Sequence, residues 1–338
     1  MFRPRTDPAL DWRPLRHEDL VDLDRLMTAI EEADDLAGRH LCEDLYASYT
    51  AAGPAAAYET LVGRDQAGTL VAYGWNHPQQ LEPGVRRVLL TGGVHPEHRR
   101  RGTGHDLLER QLALARTDPT PTPTPAASAG ARQLVAYADE RLLDQGRLYE
   151  ELGLHPVRWY ADLALTFDGP LPEHAAPEGI RIVPFSRKRF EDVRAAHDES
   201  FADLWGVKPV DSGDWEKQLL RPESRLSWSW VALAAETSEV VGYATSSAYE
   251  QDWFEQGFSE GWTDRLGVRK AWRGQGIAQA LLCASMRSFA EAGLGGAGLG
   301  VDSDSPTGAF DLYQSLGYRS TSTVVMYACS EPASGSVD

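Results

Sequence analysis

Apolar residues recur along the chain with strand-like and helix-like periods in turn, and the same order of periods runs through it twice. In each half a short extended run (12–15 and 180–183) precedes an amphipathic helical stretch. Two apolar runs that turn through polar residues follow, ETLVGRDQAGTLVAYGW in the first half and SWVALAAETSEVVGYATS in the second, which is a hairpin pattern. A further strand pattern (RRVLLTGGV; TDRLGV) enters a glycine turn. Beyond the turn Leu107 and Leu108, or Ile277, Leu281, Leu282, Met286 and Phe289, return at helical spacing. QLVAYAD and AGLGVDS then read as strands, a short helix ends at Gly153 or Gly317, and RWYADLALTF or STSTVVMYA closes the half as a strand. Strands alternating with helices predict an α/β (α+β) fold, each domain a mixed sheet flanked by helices. The repetition predicts a tandem pair.

The repeat is visible residue by residue. Val94, Arg99, Gly102, Leu107 and Leu108 stand at one constant offset from Val268, Arg273, Gly276, Leu281 and Leu282. Tyr149 and Gly153 match Tyr313 and Gly317 at a shorter offset. The difference is the insert TDPTPTPTPAASAG at 117–130, which has no apolar period and reads as a flexible loop. The expected division is a first domain at 1–168, a Pro- and Gly-rich linker at 169–179, a second domain at 180–330 and a tail at 331–338.

Composition narrows the function classes. The 338 residues are 42% hydrophobic and 25% charged, suited to two soluble domains. A formal net charge of −17 disfavours nucleic acid and anionic membranes as partners. Cationic partners are weakly favoured, although an acidic surface is usually a matter of solubility. No apolar run approaches the ~20 residues that span a bilayer, and MFRPRTDPALDWRP lacks the apolar core of a signal peptide. Cys42, Cys283 and Cys329 are far apart, with no CxxC pair, so neither a zinc site nor a disulfide framework is expected. The expected setting is a reducing cytoplasm.

The two glycine turns carry the chemistry. RGQGIAQALL (273–282) and its counterpart RRRGTGHDLL (99–108) place backbone N–H groups at a helix N-terminus, where unpaired donors and the dipole favour an anion. Gly274 and Gly276 remove Cβ atoms that would hold a diphosphate away, and Arg273 is expected to add charge-assisted contacts. A P-loop would need Gly-Lys-Ser/Thr, which both copies lack. A dinucleotide GxGxxG would need glycine where Leu107 or Gln279 stands. The literal GLGGAG at 293–298 follows a helix and enters a strand, the reverse of the required order, and reads as a helix cap with a flexible lead into the strand.

What remains is R/Q-x-x-G-x-G/A, met by Arg99, Gly102 and Gly104 and by Arg273, Gly276 and Ala278. With the preceding strand, the following helix and the terminal DLYQSLGYR, it resembles the acyl-CoA turn of the GNAT N-acetyltransferase superfamily. The two-domain layout and the ending VDSDSPTGAFDLYQSLGYRSTSTVVMYA look similar to the tandem mycothiol synthase family. The resemblance implies acetyl-CoA or another acyl-CoA as co-substrate and no metal. It implies cofactor contacts at Leu266, Val268, Arg273, Gly274, Gln275, Gly276, Ile277 and Ala278, with Ser305 in place of an asparagine common in the family. In the first half it implies Val94, Arg99, Arg100, Arg101, Gly102, Thr103 and Gly104.

Acetyl transfer needs an oxyanion donor, a base for the incoming ammonium and an acid for the departing thiolate. The resemblance assigns the first to the Leu266 N–H on a bulged strand, with Gly267 suited to the bulge, and the acid to Tyr313. AYEQDWFEQGFSEGWTD (248–264) interleaves carboxylates with aromatic rings, as a cleft for a cationic amine would. Glu250 and then Asp252 are the base candidates there, beside proton removal through water. The second half is expected to be the catalyst, as monomer or homodimer, acting on a small primary amine. A cysteinyl amino sugar, an amino-sugar antibiotic and a non-catalytic acyl-CoA sensor remain open alternatives.

Overall fold

The computed structural model describes residues 10–36, 40–82, 85–117, 131–202, 209–302 and 309–331. Ser305 and all of the 117–130 insert beyond Thr117 lie outside the described residues. Contacts divide the chain into two units, 1–158 with 324–338, and 159–323.

The first unit contains β1 (Asp11–Arg13), α1 (Leu20–Asp34), α2 (Cys42–Ala52), α3 (Ala56–Glu59), β2 (Thr60–Arg64), β3 (Leu70–Glu82), β4 (Val85–Val94), α4 (Thr103–Arg116), β5 (Ala131–Asp139) and α5 (Leu143–Glu151). Strands β1 to β4 are antiparallel neighbours, and β4 then runs parallel to β5. Leu20, Leu23 and Leu26 recur at helical spacing and bury the inner face of α1 against Val62, Leu70 and Trp75.

The second unit begins within β6 (His155–Thr166). It continues with β7 (Ile180–Pro184), α6 (Phe190–Phe201), α7 (Ser212–Leu219), β8 (Trp230–Ala234), β9 (Val240–Ser247), α8 (Trp253–Gln256), β10 (Glu260–Val268), α9 (Ile277–Glu291), β11 (Gly296–Asp302) and α10 (Ala309–Ser315). It ends within β12 (Arg319–Glu331). The sheet order is β6-β11-β10-β9-β8-β7, with β10 and β11 parallel and the other pairs antiparallel. All eight residues of β9 are buried, as expected of a central strand covered on both faces.

Helix α9 holds the glycine turn in place. Its Ile277 and Leu281 pack with Ile180, Val241 and Ala244. Leu282, Met286 and Phe289 pack with Leu163, Ala297 and Leu299. Each such side chain contributes about 1.5–3 kcal/mol when fully buried, so the helix start is a rigid point. No helix of the described residues is long and apolar enough to cross a membrane.

The contact division differs from the division at 168 and 180 by an exchange of strands. Residues Tyr160 to Thr166 of β6 pair with β11 and thereby complete the second unit. Residues Val324 to Glu331 of β12 pair with β5 and complete the first. Both strands have the pattern expected of them, but an alternating pattern does not say which sheet edge receives a strand. A 180–330 fragment lacks β6 and leaves the edge of β11 unpaired, which invites aggregation. Residues 159–323 expressed alone should unfold in one cooperative thermal transition, whereas 180–330 should aggregate or melt without cooperativity. Equal behaviour of the two fragments in circular-dichroism melts would contradict this.

Candidate active site

The two parallel strands at the centre of the second unit part company. β10 pairs with β11 only from Glu260 to Thr263, opposite Gly296 to Leu299. Beyond that point β11 stays with β6, while β10 stays with β9 through Val268. The divergence coincides with a register shift between Thr263 and Arg265, which makes Asp264 the bulged residue. The result is a wedge between Arg265–Val268 and the end of β11. The Arg269 N–H donates to Val241 O at 2.9 Å, on the β9 side. Strand alternation then turns the N–H groups of Leu266 and Val268 the other way, into the wedge.

Gly267 is not the bulge that the sequence suggests. It makes room for the Tyr243 ring, since a Cβ there would lie 2.5 Å from Cε1. The Tyr243 hydroxyl is 2.5 Å from His197 Nδ1. Burial, aided by the charge of Arg265, pushes His197 down to about 4, so this ring is neutral at physiological pH.

The turn at the N-terminus of α9 has the backbone that its glycines imply. Gly274 and Gly276 have φ of 74° and 87°, in the left-handed region, and Gly276 is the N-cap of α9. Gln275 and Gly274 are exposed, Ala278 is partly exposed and Ile277 is buried. Arg273 acts differently from its expected role. Its Nε donates to Val268 O at 3.1 Å and an Nη to Ser200 O at 2.7 Å, so it ties the turn to the strand end.

Tyr313 lies in α10, 8% exposed, with its ring 6.1 Å from that of Tyr318 in an edge contact. Burial pushes its hydroxyl up to about 12, so it holds its proton at neutral pH. The fully buried Tyr318 hydroxyl has no hydrogen-bond partner among the described residues.

The carboxylates in and around 248–264 are not equivalent. Glu250 is 62% exposed and ion-paired with Arg225 at 2.8 Å. Asp252 is exposed, and its pKa is raised by partial burial. Glu260, not singled out from the sequence, is buried on β10, and burial lifts its carboxyl to about 7. The charges of Asp162 and Asp252 add to the rise, and a hydrogen bond from Gln256 opposes it. Its Oε2 lies 2.6 Å from where a Cβ on Gly298 would be. Gly296, Gly298 and Gly300 fall on one face of β11, with Phe258, then Glu260 and Trp262, then Asp162 lying over them. The GLGGAG run that read as a cap and flexible lead therefore continues into a strand with a side-chain-free face. Trp262 also meets Tyr249 edge-on at 6.4 Å, and the Tyr249 hydroxyl donates to Asp264 at 2.8 Å.

The first unit keeps the turn and also the parting of its parallel strands, since β4 pairs with β5 only from Val85 to Leu90 and then stays with β3 through Val94, but it lacks the bulge. Gly102 has φ 87° and caps α4. Arg99 Nε donates to Val94 O at 3.0 Å, as Arg273 does to Val268. Its remaining nitrogens pair with Asp34, and Arg100, at φ 62°, pairs with Asp144. Arg101 is exposed, and the buried Thr103 hydroxyl has no partner among the described residues. A Cβ on Gly104 would lie 3.3 Å from Leu148. Strand β4 runs beside β3 in unbroken register from Arg86 to Val94, without a bulge before the turn. Tyr149, the counterpart of Tyr313, has its hydroxyl engaged by Gln145 Nε2 at 2.8 Å.

Residues 190–318 match the acetyltransferase (GNAT) family. A mycothiol acetyltransferase of Thermobispora bispora is 28% identical over 238 residues, covering 69% of this chain and 73% of that protein. A GCN5-related N-acetyltransferase from Sphaerobacter thermophilus superposes with a TM-score of 0.71 at 24% identity, covering 96% of each chain. A tandem GNAT protein from the clavulanic acid biosynthesis pathway gives 0.64 at 18% identity, covering 97% of this chain and all of the other. Residues 190–318 thus match the GNAT acetyltransferases, which supports an acyltransferase, and the fold along the length of the chain is similar to that of a tandem GNAT protein.

Proposed function

We propose that the chain transfers the acetyl group of acetyl-CoA to the primary amine of a small molecule, and that the second unit is the catalyst. The observation that carries this reading is the bulged wedge beside the glycine turn, with the buried Glu260 on the same strand, a combination that the first unit's unbulged strand β4 does not repeat. Its diphosphate end meets backbone N–H groups of the turn from Gly274 to Ala278, and its inner end offers the N–H groups of Leu266 and Val268. In the first unit the turn survives without a bulge, and its tyrosine hydroxyl is already engaged. That unit's Val94, Arg99 to Arg101, Gly102, Thr103 and Gly104 are assigned to acyl-CoA binding without turnover.

In the proposed reaction the acceptor ammonium gives a proton to Glu260, whose raised pKa suits a base near neutral pH. The freed amine forms a bond to the thioester carbonyl carbon. The Leu266 N–H stabilises the negative charge that develops on the carbonyl oxygen. The C–S bond breaks, the departing thiolate takes the proton of Tyr313, the cationic nitrogen of the adduct gives its remaining extra proton to the Tyr313 phenolate as the amide forms, and Glu260 releases its proton to solvent. Glu250, held outward by Arg225, is replaced in this role by Glu260. Phe258, Trp262 and the carboxylates of Glu260 and Asp162 form a surface suited to a cationic acceptor. The similarity to mycothiol acetyltransferase supports a cysteinyl amino sugar as the finer reading of that acceptor. A cytoplasmic setting and a monomer or homodimer complete the proposal.

Free-thiol release from acetyl-CoA with a panel of amines, a cysteinyl amino sugar and amino-sugar antibiotics among them, tests the reaction. No release with any amine would leave the acyl-CoA sensor as the better reading. Because a base must be deprotonated, kcat/KM should rise with pH through about 7, following Glu260. Glu260→Gln should lower kcat about 100-fold and remove that limb; a variant that retains the limb would exclude Glu260. Tyr313→Phe should lower kcat with acetyl-CoA about 100-fold. The deficit should shrink with an acetyl donor whose thiol is more acidic, because that leaving group needs no proton. An equal deficit with both donors would assign Tyr313 to packing instead.

A further inference from the structure

The segment between β6 and β7 passes over the start of α9. The His174 ring reaches the N-cap, with Nε2 only 2.5 Å from where a Cβ on Gly276 would be. Gly276 is thus needed both for its φ of 87° and to leave space for this ring. The ring is exposed and makes no hydrogen bond to the described residues. It lies on the turn whose own arginine is occupied by the carbonyls of Val268 and Ser200.

We propose that His174 is part of the acyl-CoA site, its Nε2–H donating to the diphosphate held over Gly276. The inference rests on the reading that this turn holds acyl-CoA. A backbone turn offers neutral donors, and an imidazole at its rim adds a side-chain donor that becomes charge-assisted when the ring is protonated. The segment between β6 and β7 is then a wall of the cofactor site.

Calorimetric titration of the full chain with CoA and with 3′-dephospho-CoA tests the proposal, in a Gly102→Asp background that silences the first unit's turn. His174→Ala should weaken both ligands by the same factor, about tenfold for a hydrogen bond to a charged group. His174→Gln, which keeps a donor, should recover part of the loss. An unchanged or tighter affinity in His174→Ala, the latter marking a plug that CoA must displace, would overturn the proposal. A loss confined to CoA would also overturn it, because it would move the contact to the 3′-phosphate. Gly276→Asp, checked for folding by circular dichroism, is the separate test of the site. If it leaves CoA binding intact, the turn itself is misassigned; if it abolishes binding while His174→Ala has no effect, only the role of His174 falls.

Discussion

The divergence of β10 from β11 after Thr263 is the constraint on which the candidate site depends. Two parallel strands in full register would satisfy each other's backbone groups and leave no opening. Beyond the one extra residue, Asp264, β10 pairs with β9 alone, which leaves one edge of Leu266 and Val268 free; β4 leaves β5 after Leu90 in the same way without a bulge. Those N–H groups are then donors without a strand partner on that side, and a thioester carbonyl is a suitable acceptor. The cost of opening the sheet is limited by the core beneath it, where Leu266 packs beside Leu282 and Leu299 on one face. On the other face Tyr243, Trp215 and Val231 close the cluster around Gly267.

The two units share the glycine turn and differ in what surrounds it. Both keep a left-handed glycine at a helix N-cap, and both use the motif arginine to fasten the turn to the strand end. These features are structural as well as functional, because a helix packed on a sheet needs a tight entry whether or not it binds an anion. The strand before the turn is bulged in the second unit and regular in the first, where Asp34 and Asp144 pair with Arg99 and Arg100 of the turn.

Legibility in the sequence followed the range of the interactions involved. The turns, their helices and the strand order were readable because φ-positive glycines and apolar periods are local properties. Gly267 was misjudged because a glycine in a strand marks either a bulge or a close neighbour, and the neighbour, Tyr243, lies on another strand. The glycine row of β11 resembled a flexible lead for the same reason. Each Cα faces a side chain from elsewhere, Phe258, Trp262 or Asp162. Glu250 and Asp252 drew notice as acids among aromatics, but only burial separates them from Glu260, and burial depends on the whole sheet.

The sequence by itself determined the repeated order of elements, the α/β class and the two left-handed glycine turns, because these follow from periodicity and from glycine's freedom at particular φ angles. Tertiary structure alone decided which carboxylate is desolvated, where the sheet opens and which unit each closing strand completes. It also brought His174, a residue of the connecting segment, against Gly276. Those outcomes depend on neighbours distant along the chain, and no local pattern encodes which distant neighbour a residue will meet.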